Sequence, residues 1–456
     1  MNKMHLLQSR SEKLKEAGSG IRKKIADIID ENSFVELSAY SFSRSEYYGA
    51  DAEGEGVVTG YATVEGFPFY VVAQNYAVMN GGVSLAACEK TCKTLDVAEK
   101  NGTPVLYILH SDGVRVDEGV QVLEGMAKLL MRATALKGSV PQFVIADGNV
   151  YGQLALLCGI ADFNFFMPDA AVAATSPLVI AAKSNKNLPA KDVAGAHALD
   201  RTNLATFTVS SVAEVREKVV AVSELLATRQ TDGEDGNQTI AELNQAVTTE
   251  NLMQVFDQGT AVEVGAGYSP AAKCVLGRIG GYSVAAVIFD GSELVELTAT
   301  MVKKVRDFAE FASCYDLPYV VFANNGGIKA DTCVNNSLVF KQIAEYLSIF
   351  DTLENGRISV VSKAAIGLGY TLFAAKSAGF DMTIAFANAK VALFGAEAGA
   401  EIELSGANNG TEDLVEKYSE ENSDPFNAAK GGYVDTIIEP QFVKPYVVAA
   451  LQMLVR

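Results

Sequence analysis

The amino-acid sequence predicts an α/β protein made of two similar halves, and three observations support this prediction. The chain has 456 residues, which is more than one ordinary hydrophobic core holds and favours two or three domains. Short apolar runs typical of buried strands alternate with amphipathic segments typical of helices. The same order of segments then recurs in the second half of the chain, as expected for a duplicated domain.

The first half begins with a predicted helix and a group of predicted strands. Residues 1–30 carry Leu and Ile among charged residues at helical spacing, which indicates an amphipathic helix. Residues 34–75 are predicted to form short strands, because apolar runs there are separated by glycines that favour turns: Gly54, Gly56, Gly60 and Gly66.

Two further pairs of helix and strand follow. Ser84 is a good N-cap, and the apolar positions after it recur at helical spacing. The run that follows Pro104 predicts a buried strand, and it precedes a predicted helix at 118–136 and a predicted strand at 141–146. Because strands and helices alternate, we expect helices packed on a sheet.

The second half repeats this order. Pro318, like Pro104, opens an apolar strand that follows a helical segment. Gly152 lies 48 residues after Pro104, and Gly367 lies 49 residues after Pro318. Two later segments also align without gaps, namely residues 162–174 and 381–393. One match alone could arise by chance, but the shared order and spacing indicate duplication.

A polar stretch rich in Gly and Asp, residues 227–239, separates the halves and predicts a linker. We therefore expect an N-terminal domain at 1–228, a linker at 229–239 and a C-terminal domain at 240–456.

Composition and charge restrict the possible classes of function. The formal net charge is −18 and the pI about 4.7, which argues against a nucleic acid partner because phosphates need a basic surface. The N-terminal segment lacks the apolar core of a signal peptide. The six cysteines are therefore expected to be thiols in a reducing, cytoplasmic location. The sequence contains no run of about 18 apolar residues, so a membrane span is not predicted. With three histidines, a histidine-based catalytic cluster is not expected.

Phosphate loops and metal sites are not predicted either. The P-loop pattern GxxxxGK[ST] does not occur, and the sequence that starts at Gly367-Leu368-Gly369 breaks the dinucleotide pattern GxGxxG at its last position. Cys88 and Cys92 lie one helical turn apart on an apolar face, which is typical of core residues rather than of metal ligands.

A catalytic triad is not predicted, and two acidic features have structural interpretations. His110, Ser111 and Asp112 contain the residue types of a catalytic triad, but a triad is assembled from residues distant in sequence. Glu118 begins a predicted helix, where a carboxylate stabilises the N-terminus. The acidic run 401–421 is typical of a solvated surface, with a docking face for another subunit as the alternative.

Glycine-rich turns recur at strand ends and helix starts: Gly81–Gly82, Gly113, Gly152, Gly367 and Gly369. One interpretation is that they only form tight turns. The other is that two backbone N–H groups beside a helix N-terminus hold an enolate or a tetrahedral oxyanion. The equivalent places of Gly152 and Gly367 in the repeat favour this second interpretation.

Five motifs suggest a family: GVVTG at 56–60, NGGVS at 80–84, HSDGVRVDEG at 110–119, GAE at 395–397 and DPFNAAKGGYVDTIIEP at 424–440. Together they resemble the carboxyltransferase subunits of biotin-dependent acyl-CoA carboxylases, such as the propionyl- and acetyl-CoA carboxylase β chains. They also resemble the related α subunits of methylmalonyl- and glutaconyl-CoA decarboxylases. The resemblance covers almost the whole chain, and its most specific part is the match of 424–440 to NPYxAAxxGYVDxVIxP.

The resemblance implies a fold and a mechanism. The fold is a pair of crotonase-like (ClpP/crotonase) domains, one for each half. Biotin carried on a separate protein exchanges a carboxyl group with a short-chain coenzyme A thioester. Backbone N–H groups hold the thioester enolate in the N-terminal half, at Gly152 and Gln153, and the biotin urea oxygen in the C-terminal half, at Gly367, Leu368 and Gly369.

The resemblance also implies ligand contacts and partners. Positions implied to contact the cofactor or coenzyme A are Gly81, Gly82, Gly113, Arg115 and Gly327, although Arg115 could equally brace its loop. The partners implied are a biotin carboxyl carrier protein, biotin carboxylase or decarboxylase subunits, and further copies in a hexamer built from dimers, or a paralogous subunit. The sequence has no biotinyl-lysine motif AMKM and no four-cysteine zinc ribbon.

Several positions depart from the family pattern, which has Gly at Gln153, Asp at His110 and Gly at Asp112. Its PGFxPG loop is replaced by residues 324–328. Two alternatives therefore stay open. The first alternative is a non-catalytic paralogous subunit of such a complex. The second is a crotonase-type hydratase or isomerase without biotin, in which Glu118 or Asp112 transfers protons.

Overall fold

The computed structural model describes residues 3–41, 54–184, 189–195, 202–291, 293–328, 337–404 and 411–455. The chain divides into two compact units, Met1–Ser223 and Glu224–Arg456. Three features of the sequence lie outside the described residues: His197, Cys333 and residues 405–410 of the acidic run. Over the described ranges, none of the helices combines the length and the apolar character that crossing a membrane requires.

The first unit contains one sheet with helices packed on it. Its described helices are α1 (Lys3–Ala17), α2 (Ser19–Ile28), α3 (Leu85–Asn101), α4 (Val120–Leu136), α5 (Leu157–Ile160), α6 (Pro177–Ser184), α7 (Ala190–Ala194) and α8 (Val212–Ala227), which continues into the second unit. Its strands are β1 (Val35–Leu37), β2 (Val57–Val64), β3 (Phe67–Gln74), β4 (Val105–Ser111), β5 (Gln142–Tyr151), β6 (Phe163–Phe166), β7 (Ala171–Ala173) and β8 (Phe207–Thr208).

The second unit is built in the same way. Its further described helices are α9 (Glu242–Gln245), α10 (Thr249–Met253), α11 (Ala299–Cys314), α12 (Ser337–Ile349), α13 (Leu368–Phe373), α14 (Ala396–Leu404), α15 (Thr411–Asn422), α16 (Pro425–Lys430) and α17 (Val443–Leu454). Its strands are β9 (Val262–Val264), β10 (Ala272–Ile279), β11 (Tyr282–Phe289), β12 (Val295–Leu297), β13 (Tyr319–Ile328), β14 (Arg357–Ile366), β15 (Met382–Phe386), β16 (Lys390–Ala392) and β17 (Thr436–Ile438).

The two sheets have equivalent topologies. The first has the order β1-β2-β3-β4-β5-β6-β8 and the second the order β9-β10-β11-β13-β14-β15-β17, when both are written from the antiparallel edge. In each sheet an antiparallel hairpin, β2–β3 or β10–β11, leads into a run of parallel strands. The short strands β7 and β16 extend the ladders of β5 and β14. The predicted duplication of an α/β unit is confirmed.

Apolar side chains between the sheet and its helices form the core of each unit. In the first unit Cys88 and Cys92 of α3 are 1% and 2% exposed and belong to the main apolar cluster. Their interpretation as core residues is therefore confirmed. An equivalent cluster in the second unit includes Val320, Phe322 and Val360.

The predicted single helix at 1–30 is wrong, because the structure has two helices that meet at Gly18. Gly18 has a non-helical conformation with φ −112° and ψ 19°. A Cβ atom there would lie 1.8 Å from Nη1 of Arg22. That guanidinium folds back and donates a hydrogen bond to the Leu14 carbonyl at 2.9 Å. The Arg22 side chain thus occupies the space that a Cβ atom at residue 18 would need, and the helix breaks at Gly18.

Residues 229–239, predicted as a linker, lie inside the second unit. The Thr231 N–H donates to the Gly281 carbonyl at 3.0 Å. The Glu234 carboxylate pairs with the buried Lys444 ammonium at 2.9 Å, and Lys444 also lies 3.2 Å from Asp257. These contacts attach the segment to helix α17 and to the β10–β11 hairpin.

Candidate functional site

The carboxyl ends of the neighbouring strands β4 and β5 form one edge of the first sheet. Ser111 on β4 pairs with Val150 on β5, so the loops that follow the two strands start side by side. Gly152 comes directly after β5, with φ +73°, and starts a 3₁₀ helix that extends to Leu156. The first N–H groups of such a helix have no partner inside it, so Gly152 and Gln153 present donors at this edge.

The Gly81–Gly82 turn lies against the end of β4. Gly81 has φ +67°, and a Cβ atom on it would lie 2.1 Å from the His110 carbonyl oxygen. Only glycine fits such an approach. The next turn is fixed by hydrogen bonds, from the Asp112 N–H to the Asn80 carbonyl at 3.1 Å and from the Gly113 N–H to the Ser111 hydroxyl at 3.1 Å. The structure therefore brings Gly81, Gly82 and Gly113 together.

Arg115 lies in the same loop but is buried, at 3% exposure. Its Nη1 lies 3.2 Å from Oε2 of Glu55, and its Nε donates to the Gly82 carbonyl at 3.3 Å. Oε2 of Glu55 also accepts from the Ser84 hydroxyl at 2.9 Å. A guanidinium held in this way is not exposed to ligand phosphates, so we assign Arg115 the bracing role that the sequence left open.

Glu118 is likewise occupied by the backbone. One of its carboxylate oxygens accepts a hydrogen bond from the Leu85 N–H at 2.6 Å, at the first residue of α3. It thus stabilises the N-terminus of α3, whereas the sequence associated it with the following helix. Ser84 is confirmed as the N-cap of α3, because its hydroxyl accepts from the Ala87 N–H at 2.9 Å.

A connected group of polar side chains lies beside the Gly152 turn. Asp112 accepts hydrogen bonds from the Tyr76 hydroxyl at 3.1 Å and from the Asn149 amide at 3.0 Å. The Tyr151 hydroxyl donates to the Asn149 amide oxygen at 2.9 Å. The ring of His110 stacks on Tyr76 with 3.8 Å between ring centres. We call these five residues the Asp112 network.

Burial shapes the protonation of the aromatic members of this network. It lowers the pKa of the His110 imidazole, and this effect exceeds the opposing effect of Asp147. It raises the pKa of the Tyr76 hydroxyl, which the hydrogen bond to Asp112 raises further. At neutral pH the phenol that donates to Asp112 and the imidazole stacked on that phenol are therefore uncharged.

The second unit carries the equivalent turn. Tyr151, the residue before Gly152, pairs with Ala173, and Ile366, the residue before Gly367, pairs with Ala392. Gly367 has φ +54° and caps helix α13. Its own N–H is engaged by the Ala392 carbonyl at 2.9 Å. The donors that remain at the start of α13 are the N–H groups of Leu368 and Gly369.

The residues of β13 pack closely on this turn. A Cβ atom on Gly369 would lie 2.6 Å from the Cβ of Asn325, and one on Gly327 would lie 3.9 Å from the Leu368 nitrogen. Asn325 is fully buried, and its side-chain nitrogen and oxygen have no hydrogen-bond partner within the described ranges. Residues 324–328, which stand where the family pattern has its PGFxPG loop, form the end of β13 and thus lie beside Leu368 and Gly369.

A cleft of about 450 Å³ opens next to the Gly367 turn. Its lining includes Glu293, Asn324, Lys363, Ile366, Lys390 and Gly395. The Lys363 ammonium donates to the Gly291 carbonyl at 2.6 Å, and the Asn324 amide donates to the Glu293 carbonyl at 2.9 Å. The charged side chains of the cleft are therefore the ammonium groups of Lys363 and Lys390 and the carboxylate of Glu293.

The glycine turns are visible in the sequence, whereas Lys363, Tyr76 and Asn149 beside them were not predicted as site residues. Lys363 had a usable signal, since it is a charge in the interior of the apolar strand that leads to Gly367. Tyr76 and Asn149 had no such signal in the sequence, because they are distant from Asp112 along the chain and contact it only in the folded structure. Among the described residues, no three His, Cys, Asp or Glu side chains form a group that could bind a metal ion.

The chain is similar to known proteins over almost its whole length. The family model "Carboxyl transferase domain" matches residues 14–456. The chain is 28% identical to a propionyl-CoA carboxylase beta chain of Saccharopolyspora erythraea, over 95% of this chain and 87% of that protein. It is 26% identical to a methylmalonyl-CoA decarboxylase subunit alpha of Veillonella parvula, over 95% and 89% of the two chains.

Solved structures show the same fold. Transcarboxylase 12S, a hexamer solved with methylmalonyl-coenzyme A bound, superposes with a TM-score of 0.91 at 23% identity, over 99% of this chain and 94% of that one. A single-chain long-chain acyl-CoA carboxylase superposes with a TM-score of 0.84 at 18% identity, over 99% of this chain and 49% of that one. The predicted crotonase-like carboxyltransferase fold is confirmed, and the chain belongs to the carboxyl transferase family.

Proposed function

We propose that this chain is the carboxyltransferase component that moves a carboxyl group between carboxybiotin, held on a separate carrier protein, and a short-chain acyl-CoA. The observation that carries this proposal is the repeated turn. Each unit presents two N–H groups at a helix start, after equivalent parallel strands, at Gly152–Gln153 and at Leu368–Gly369. Two such donor pairs fit a reaction in which two oxygens in turn become negative.

In the first unit, the Gly152 and Gln153 N–H groups hold the thioester oxygen when the α-carbon loses its proton. The enolate then carries its charge on this oxygen, and fixed donors stabilise it without reorganisation. The side chain of Gln153 does not remove its N–H, and its amide oxygen is buried rather than extended into solvent. The close packing of Gly81 against β4 keeps this edge rigid.

In the second unit, the Leu368 and Gly369 N–H groups hold the urea oxygen of biotin. Gly367 supplies the backbone conformation rather than a donor, since its N–H is bonded to Ala392. The adjoining cleft, at about 450 Å³, has the size of a small-molecule site. When bound, carboxybiotin supplies the carbon dioxide and the base, which explains why the protein needs few titratable groups.

We further propose that the chain works as an oligomer with a biotin carrier and with carboxylase or decarboxylase subunits, in the cytoplasm. The relatives support the assembly, because they are named as chains or subunits of larger enzymes. The cysteines that the structure describes are free thiols, as expected in a reducing compartment: Cys88, Cys92, Cys158, Cys274 and Cys314. Gel filtration and co-purification test the proposed assembly, and cell fractionation tests the proposed cytoplasmic location.

A carboxyl-transfer assay on the purified full-length chain tests the activity. It uses free biotin with malonyl-, methylmalonyl- or glutaconyl-CoA and follows the loss of the carboxylated thioester. We expect biotin-dependent turnover, and the preferred thioester defines the substrate. A folded oligomer that turns over none of them would instead be the non-catalytic paralogous subunit.

A further inference from the structure

We propose that Asp112 is a specificity-determining residue, a fixed negative charge beside the thioester turn that weakens binding of the carboxylated thioester relative to the uncarboxylated one. The inference rests on the proposed function, because it takes the Gly152 turn as the place where the thioester oxygen binds. It concerns a side chain at a position where the family pattern has glycine.

The ladder between β4 and β5 places Asp112 beside this turn. Ser111 pairs with Val150, so Asp112 follows β4 at the level where β5 ends at Tyr151 and the Gly152 turn begins. One residue along a strand spans about 3.3 Å. The Asp112 carboxylate reaches across to Asn149, two residues before Tyr151, at 3.0 Å. Its charge is therefore only a few residue steps from the donors of Gly152 and Gln153.

The network fixes this carboxylate in place. The Tyr76 hydroxyl and the Asn149 amide bind one oxygen each, and the Tyr151 hydroxyl in turn orients Asn149. Tyr76 is itself held by stacking on His110. Since both donors to Asp112 are neutral, they orient its charge without cancelling it.

No ion pair of the described residues neutralises Asp112. Lys24, whose charge acts on the neighbouring His110, pairs with Asp147. Arg115 is committed to Glu55. His110, whose pKa burial lowers, contributes no positive charge at neutral pH. The site next to the Gly152 turn thus carries a net negative charge.

This charge distinguishes the two thioesters of the reaction. Both bind through the same thioester oxygen and the same coenzyme A, but the carboxylated one bears an additional carboxylate on the α-carbon. Two like charges separated by about 10 Å or less repel each other, and solvent reduces the effect at an exposed site. We expect the carboxylated thioester to lose roughly three- to tenfold in relative affinity.

Calorimetric titration without biotin measures this preference separately from catalysis. Methylmalonyl-CoA and propionyl-CoA are titrated into the wild-type protein and into Asp112→Asn, at low and high salt. We expect Asp112→Asn to bind methylmalonyl-CoA about three- to tenfold more tightly and to change propionyl-CoA binding less than about twofold. Added salt should shift the wild-type ratio towards that of the variant.

A matched control removes a charge elsewhere in the first unit. Glu217 lies exposed on α8, and Glu217→Gln should leave the ratio of the two affinities unchanged. Asp112→Gly provides a second neutral variant if Asp112→Asn does not fold. If both thioesters bind and neither the variants nor salt change the ratio, the inference is wrong. If the wild-type protein binds neither thioester, the proposed function fails and the inference fails with it.

Discussion

Arg115 and Glu55 form an ion pair in which Nη1 and Oε2 lie 3.2 Å apart and the side chains are 1% and 0% exposed. Burial raises the pKa of Glu55, while the hydrogen bond from Ser84 and the charge of Arg115 favour its ionised form. Because Glu55 also binds Ser84, this single carboxylate connects the loop after β4 to the start of α3. The position of the glycine turns depends on this buried pair.

Replacing Arg115 with Met should destabilise the protein strongly. The change leaves the Glu55 carboxylate buried without its cation, and loss of one partner of a buried pair costs about 3–5 kcal/mol. Urea unfolding measures the loss. The double variant Glu55→Gln/Arg115→Met should recover at least about 1 kcal/mol. A double variant as unstable as Arg115→Met would show that the unpaired charge is not the cause.

Replacing Leu368 with Pro should remove one proposed donor and retain helix α13. Proline is tolerated at the first helical position, where its missing N–H costs the helix nothing. We expect kcat of carboxyl transfer to fall about 10²–10³-fold, as expected for the loss of one oxyanion donor. Leu368→Ala keeps the N–H and is the control, expected within about threefold of wild type. Equal losses in the two variants would contradict a role for the N–H.

Replacing Gly81 with Ala should disturb the first turn far more than the same change at Gly102. Both glycines have similar φ values, +67° and +62°, so both variants incur the left-handed penalty of about 1–2 kcal/mol. Only Gly81 also meets a backbone carbonyl, that of His110 at 2.1 Å, whereas Gly102 has open space around it. We expect Gly81→Ala to cost at least about 2 kcal/mol more in thermal or urea unfolding, and comparable losses would contradict the close approach.

Asp30 should make stability depend on acid pH. Burial raises the pKa of its carboxyl, but hydrogen bonds from Thr63, the backbone of Gly66 and Glu65, and Arg216 outweigh this and hold the pKa well below its usual range. A carboxyl with a lowered pKa stabilises the fold above its unfolded pKa, near 3.8, and this stabilisation is lost as the pH falls.

We therefore expect Asp30→Asn to lower the unfolding free energy by about 1–2 kcal/mol at pH 7. The difference from wild type should shrink as the pH falls below about 4. Denaturant unfolding at pH 7, 5 and 3 measures it. A difference that stays constant over this range would show that ionisation of Asp30 is not its source.

The sequence predicted much of the fold because the repeat is visible in local patterns. The predicted helix after Ser84 and the predicted strand after Pro104 match α3 and β4, since caps and apolar runs act locally. The predicted strand at 141–146 was too short, because β5 continues to Tyr151 through polar residues that bind across the sheet edge.

The candidate site was only partly predictable. The glycine turns are encoded locally, so Gly152 and Gly367 could be found from spacing. The Asp112 network was not predictable, because Tyr76, Asp112 and Asn149 come from three separate segments that meet only when β3, β4 and β5 are aligned. The Gly367 N–H is not available to a ligand because it bonds to the Ala392 carbonyl. That bond depends on the pairing of β14 with β16, which the sequence does not show.

The contact of Lys444 with Glu234 determines where the second unit can be cut from the rest of the chain. A fragment that starts at residue 240 lacks Glu234 and Gln238, so the fully buried Lys444 ammonium keeps Asp257 as its one partner among the described residues. Such a fragment should express poorly or aggregate, whereas one that starts at residue 224 keeps the pair intact. Engineering of the isolated half must therefore preserve the polar stretch that precedes it.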